Sequence, residues 1–287
     1  MMPVSPRARL IRATLRLWAA LVLAFLYLPI VLLILFSFED SDSVGLPVRS
    51  LTTKWYEGIP GNDQLVGAIF TSVLVAAIVA CVGTLVGTMA AFPLVRARVR
   101  WPNAARVLVT MPIMFPGVLI GVGLLIFLAG VLHLQLSLLT VIAGHLVLTM
   151  PFVVLIVSAR LQGFDRRLEW AAADLGASPA RTLWSVVLPL IAPAIVAGAL
   201  LSVTLSIDEF VVTFFTIGPQ LTLPIYFYTQ IKFGVTPEVN AVATLLLVAT
   251  ILAFSLAALL ASAIGRIRRA RLGSPVADSH AYSWRDS

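Results

Sequence analysis

Two adjacent carboxylates, Asp208 and Glu209, close an apolar stretch in which Ala194, Gly198, Ser202 and Ser206 recur at every fourth position. That spacing puts four small residues on one helix face, and Glu209, three residues beyond Ser206, extends the stripe. Along a continuous helix Asp208 lies about 27 Å beyond Leu190, so both acids stand near the end of the segment and not at its middle. Ionisable groups at such a depth face a cavity or a partner, and carboxylates at the mouth of a pathway, with Ser202 and Ser206 on the same face, would attract a cation. The alternative is that the two acids end the helix in water.

Other site chemistry is sparse. The histidines His133, His145 and His280 have no metal-ligand spacing, and neither H-E-x-x-H nor G-x-S-x-G occurs. A phosphate-cradling loop requires G-x-x-x-x-G-K followed by Ser or Thr, and neither lysine, Lys54 or Lys232, sits in one. No catalytic activity, cofactor or metal is expected of this chain. His145, inside an apolar segment, reads as a hydrogen-bonded packing residue, and Cys81, the lone cysteine, as a buried inert thiol.

The elements that must position these groups are membrane helices. Hydrophobic residues make up 60% of the chain and charged ones 11%, with mean hydropathy +1.02, far beyond what one soluble core needs. Runs long enough to span about 30 Å of hydrocarbon occur at Leu17 to Phe38, Val66 to Val95, Val107 to Leu132, Leu136 to Ser158, Val186 to Ser206 and Val239 to Ile264. The expected fold is therefore an all-α membrane protein with six transmembrane helices, the first retained and not cleaved. Pro112, Pro116 and Pro151 lie inside spans and are expected to kink them. The aromatics Tyr226, Phe227, Tyr228 and Phe233 read as an interfacial belt, with cation–π contacts as the alternative.

Arginine sets the orientation. Seventeen of the twenty Lys and Arg residues fall in the N-terminal arm, the second-to-third connection, the stretch around Arg160 to Arg181, and the tail. Basic residues resist translocation, so these segments and both termini are expected on the cytoplasmic side. The opposite side keeps Arg49, Lys54 and Lys232 against eight acids, among them Glu39, Asp40, Asp42 and Glu238. Topology accounts for the basic pI near 10.3, and no nucleic-acid partner is expected. The domains read as a basic arm over 1–16, a six-helix domain over 17–265 and a polar tail over 266–287.

The longest cytoplasmic connection, 159–189, contains LEWAAADLGASPARTLWSVVLP, Leu168 to Pro189. Alanine-rich Leu168 to Leu175 predicts a short helix that Gly176 ends. Ser178 then caps a second helix whose first turn suits Pro179. So short a pair has little core of its own and must pack on the span ends or be held by another protein.

This stretch resembles the EAA loop of ABC importer permeases, whose pattern is E-A-A, three residues, G, nine residues, I-x-L-P. Ala171, Ala172, Gly176, Leu188 and Pro189 match in register, and Val186 stands for the isoleucine. Trp170 occupies the glutamate position and Glu169 precedes it, turned by about 100°, so a salt bridge made by the family's glutamate is weakened or re-aimed here. The segments LSVTLSIDEFVVTFFTIGP and LPIYFYTQIKFGVTPEVNAVATLLL resemble the second permease subunit of spermidine/putrescine importers.

The resemblance implies a type I ABC importer permease fold in a bacterial cytoplasmic membrane, and inward movement of polyamine-like cations delivered by a periplasmic substrate-binding protein. It also implies a cytoplasmic ATPase dimer that uses the ATP and a second homologous permease subunit. Glu169, Trp170, Ala171, Ala172, Asp174, Gly176, Ala177, Leu188 and Pro189 would form the coupling surface. Two alternatives stay open: a permease for another small organic solute, and an ion-coupled transporter. Inverted repeats or acids at mid-span would favour the latter, and the sequence has no clear repeat and no such acid.

Overall fold

The computed structural model of the chain describes residues 6–41, 45, 47–48, 50–96, 102–234 and 236–272; among them the only strand pairing is an isolated bridge between Glu39 and Leu51. In order, α1 is Pro6–Phe36, α2 Lys54–Gly58, α3 Asp63–Arg96, α4 Pro102–Met114 and α5 Gly117–Leu125, which a π-helical turn, Ile126–Val131, extends. Then come α6 Leu138–Gln162, α7 Arg167–Asp174, α8 Pro179–Thr182, a second π-helical turn at Leu183–Val187, α9 Leu188–Asp208, α10 Val211–Thr216, α11 Leu223–Phe233 and α12 Pro237–Leu272.

Among the described residues, four helical runs are long and apolar enough to cross a bilayer: Leu10–Phe36, Asp63–Arg96, Leu138–Gln162 and Pro179–Asp208. The third expected span is not one rod, because α4 and α5 meet at 97°. Pro116 explains the break: it caps α5 in an extended conformation (ψ 135°) and offers no N–H to continue α4. Pro112 and Pro151 remain inside their helices. The sixth expected span lies on α12, whose apolar stretch Pro237–Ala253 is shorter than the others. Helix α1 begins at Pro6, so the basic arm is helical from there. The tail beyond Leu272 lies outside the described residues, as do Asp42, Arg49, Arg98 and Arg100.

The chain divides into two compact units, one holding α1 and the chain from Asn240 onward, the other running from Phe38 to Val239. The second unit is built on α3, α6 and α9, which pack on one another around two apolar clusters. Val75, Val79 and Val141 form one, and Ala91, Val153, Val157, Leu161 and Ile191 belong to the other. Val153 is the knob at the centre. A Cβ built on Gly87 would lie 2.9 Å from its side chain and one on Gly198 3.3 Å from it, so only glycine lets both neighbours close on α6. This is the packing for which the Ala194 to Ser206 stripe is suited. Cys81 is not buried as expected: it lies on the exposed face of α3, away from Val79, Ala80 and Gly83.

After α9 the chain folds back into this unit. Helix α10 seats Val212 against Gly144 of α6, where a Cβ would be 2.6 Å away, and Phe215 against Gly121 of α5. Helix α11 hangs on α3, with Leu223 N–H donating to Ser72 Oγ at 2.8 Å. Asn62, beside the start of α3, donates to the Tyr226 hydroxyl (3.2 Å) and to Glu238 Oε1 (2.9 Å). Tyr226 is thus a core residue and no part of an interfacial belt, while half-exposed Tyr228 meets Phe210 at a tilt and Phe214 edge to face. The side chain of Phe233 lies outside the described residues. Lys54 donates to Asp40 at 2.7 Å and, by that hydrogen bond and then by its charge, holds the Asp40 carboxyl below its ordinary value.

Candidate coupling and pathway sites

The helix–glycine–helix expectation is met by a complete Schellman motif. Gly176, at φ +81°, donates its N–H to Ala173 O (2.8 Å), and Ala177 donates to Ala172 O (3.0 Å), so the orphan carbonyls of α7 are satisfied as the chain turns. Ser178 then caps α8, its Oγ accepting from Arg181 N–H at 3.3 Å, with Pro179 in the first turn. Because α8, the π-helical turn and α9 make one run from Pro179 to Asp208, the loop is continuous with a membrane span. Leu188 and Pro189 open α9 directly after the π-helical turn Leu183–Val187, and Pro189, inside the continuous run, has no N–H to give to that preceding turn.

Glu169, in the first turn of α7, is where the sequence leaves a re-aimed salt bridge. Arg96, the last residue of α3, grips it with both guanidinium nitrogens, Nη2 to Oε1 at 2.5 Å and Nη1 to Oε2 at 3.1 Å. The two side chains are only 21% and 20% exposed, so the pair is shielded enough to hold one geometry. The Arg96 guanidinium also lies over the rings of Phe92 (5.3 Å) and Phe164 (5.5 Å), which fix its plane. Trp170, one residue on, faces away and is 64% exposed; Leu168, Leu175 and Trp184 are exposed with it. Asp174 closes α7. Between the pair and α8 lies a cavity of about 310 Å³ lined by Ala173, Ala177, Pro179, Thr182, Leu183 and Val187.

The other candidate residues do not share one surface. Ser202 and Ser206 are buried on the α9 face that meets α6, and Ser206 Oγ bonds His145 Nδ1 at 2.8 Å. Helix α9 ends at Asp208, which is exposed. Glu209 therefore does not continue the helical stripe; its backbone is extended (ψ 104°) and its Oε1 accepts the Val212 N–H at 2.8 Å, capping α10. Glu209 also lines a cavity of about 220 Å³ with Phe115, His145, Thr149, Phe152 and Leu205. Aromatic faces, a carboxylate and the buried Thr149 hydroxyl, which has no hydrogen-bond partner among the described residues, are groups an ammonium could meet. His145 is a hydrogen-bonded packing residue, as read from the sequence, since Nε2 bonds Thr213 Oγ1 at 2.7 Å.

Sequence reasoning missed Arg96, whose value as a partner depends on the end of α3 meeting α7, seventy-three positions along the chain. It also missed Phe115 and Phe152. The only signal for Phe115 was Pro116 beside it, which ends α4 and turns the ring-bearing corner toward α6.

A family model described as the binding-protein-dependent transport system inner membrane component matches residues 83–272. The chain is 41% identical over 79% of its length, and 86% of the relative's, to the spermidine/putrescine transport system permease protein PotC of Escherichia coli K12. It is 36% identical to the putrescine transport system permease protein PotI of the same strain, over 78% of this chain and 82% of that one. In fold it is similar to a chain of a bacterial ABC transporter involved in import of the acidic polysaccharide alginate, with TM-score 0.71, 14% identity and coverage of 90% of this chain and 98% of that one. The broken third span, the helix–glycine–helix loop and the matched model agree, and the chain belongs to the family of binding-protein-dependent transport system inner membrane components.

Proposed function

We propose that this chain moves polyamine-like cations inward as one permease subunit of an ATP-driven importer, and that loop 159–189 receives the work of ATP hydrolysis. The observation that carries the reading is that α7 is tied at Glu169 to the end of α3 and is continuous, through Gly176 and α8, with the span ending at Asp208. A partner that shifts α7 pulls on two spans at once. The exposed Trp170, Leu168 and Leu175 supply an apolar contact for a cytoplasmic ATPase dimer, with Ala171, Ala172, Asp174 and Ala177 shaping the helix beside them. This chain then needs no cofactor, because the ATPase binds the nucleotide.

The cargo class follows from the relatives named for spermidine and putrescine, and from the chemistry around Glu209. Asp208 and Glu209 receive the cation that a periplasmic binding protein delivers, while Ser202 and Ser206 set the α6–α9 packing beside them. A second homologous permease completes the pathway, an arrangement suited to an asymmetric cargo. Arginine-rich segments, the arm over 1–16 and the tail over 266–287 lie in the cytoplasm, around a permease domain over 17–265 in the inner membrane. The test is uptake of radiolabelled spermidine or putrescine by vesicles holding the complete assembly. Uptake that needs both ATP and the binding protein supports the reading; a chain that purifies with no ATPase, or uptake driven by an ion gradient alone, overturns it.

A further inference from the structure

We propose that His145 is a positioning residue for the pathway: acting through Thr213, it fixes the break at which Glu209 leaves α9, and so fixes where the Glu209 carboxylate stands in the cavity. The inference rests on Glu209 being a cargo-facing acid, as proposed above.

With a neutral imidazole, the hydrogen bonds around His145 take one direction. Thr213 Oγ1 donates its proton to Glu209 O at 2.7 Å, so toward His145 it can only accept. The 2.7 Å contact therefore carries the proton on Nε2, which leaves Nδ1 as a lone pair, and Ser206 Oγ donates to it at 2.8 Å. The result is a directed chain from the Ser206 hydroxyl through the imidazole to the Thr213 hydroxyl and on to the Glu209 carbonyl. It joins α6, the last turn of α9 and α10, the three elements that converge where α9 stops.

The far end of this chain is the residue that lines the cavity. Glu209 is held twice: its carbonyl by Thr213, and its carboxylate by the Val212 N–H. Both anchors sit on α10, and α10 is held against α6 by Val212 packing on Gly144 and by the His145–Thr213 bond. Few side chains can replace the imidazole. The site needs a donor and an acceptor on opposite edges of one rigid group between two hydroxyls, whereas an amide presents both on the same end and cannot span the gap. His145 is buried and lies along the cavity edge, so its work is done through Glu209.

The test uses the complete importer in vesicles, with binding-protein-loaded spermidine as the titrated species. Thr213→Val keeps the shape and deletes the hydroxyl; it should raise the half-saturating concentration about fivefold, the loss of one hydrogen bond, while Thr213→Ser restores it. In a Glu209→Gln background the same Thr213→Val change should add less than about twofold, because the carboxylate it positions is already gone. Equal effects in both backgrounds, or Thr213→Ser as impaired as Thr213→Val, would mean that the hydroxyls serve only packing and overturn the inference. Should Thr213→Val not assemble with its ATPase, Ser206→Ala gives the same cycle from the other end of the chain. A Glu209→Gln importer with unchanged half-saturation would overturn the pathway reading and this inference together, whereas an impaired one with additive Thr213→Val effects overturns the inference alone.

Discussion

Glu169 and Arg96, seventy-three residues apart, close a two-pronged ion pair that joins the first turn of α7 to the last residue of α3. Removing one partner leaves a partly buried charge without its counterion, worth about 1.5–3 kcal/mol for charged hydrogen bonds. Arg96→Met should therefore loosen the loop and lower cargo-stimulated ATP hydrolysis, with the protein still inserted. Exchanging the charges, Arg96→Glu with Glu169→Arg, should recover part of the loss, measured as ATP hydrolysed per spermidine taken up. A double exchange no better than either single change would show that the pair does not transmit movement.

Trp170 stands where the family pattern has glutamate, and its side chain is exposed, about 100° around α7 from the Glu169 that pairs with Arg96. Trp170→Ala should weaken recovery of the ATPase with the purified permease, since aromatic anchors carry much of an interface's energy, without lowering the amount of permease in the membrane. Trp170→Glu should cost less, because Arg96 already engages Glu169 and the new carboxylate would meet the partner at the pattern's usual position. Pull-down from detergent extracts at several salt concentrations separates the two variants.

Gly176 turns the chain at φ +81°, and a Cβ there would touch nothing within 4 Å, so any penalty comes from the backbone and not from crowding. Asparagine tolerates this region and β-branched residues do not. Gly176→Asn should keep transport close to that of the unmodified protein. Gly176→Val should lose about 1–2 kcal/mol of loop stability and uncouple ATP hydrolysis from uptake. Two variants with identical coupling ratios would refute the turn's role.

The loop was legible because its signals are local: alanine content, one glycine, one serine and one proline, each acting within a few residues. Spans α3 and α6 were legible for the same reason, as long uninterrupted apolar runs. What escaped is set by tertiary contact. Hydropathy reads α4 and α5 as one run because Pro116, by residue type, is as compatible with a kink as with the 97° break that its extended backbone makes. Tyr226 looked interfacial by type, yet Asn62, just before α3, gives its hydroxyl a partner and lets it be buried. Cys81 looked buried in an apolar run, but a membrane helix is apolar on its outward face too.

The arginine distribution makes a topological prediction. A reporter active only in the periplasm should be active when fused near Gly61 and inactive after Arg166 or Arg271. Activity at Arg166 would place α7 and Trp170 outside the cell, where no ATPase could reach them.

Asp208 and Glu209 are neighbours in sequence but not in environment, and that separates their roles. Asp208 is exposed at the end of α9, whereas Glu209 is half-buried, caps α10 and lines the cavity with Phe115 and Phe152. A solvated carboxylate attracts an ammonium weakly, by less than about 1 kcal/mol, while a desolvated charged hydrogen bond is worth about 1.5–3 kcal/mol. Asp208→Asn should therefore lower spermidine uptake by no more than about fivefold, an effect that fades in high salt as long-range attraction is screened. Glu209→Gln keeps the shape and the cap to Val212 but removes the charge, so uptake should fall by about ten- to a hundredfold, with little dependence on salt. Both variants should still purify with the ATPase, because the acids lie at the far end of α9 from the loop. If Glu209→Gln transports within about twofold of the unmodified protein, the carboxylate only caps α10 and the cargo need not be a cation.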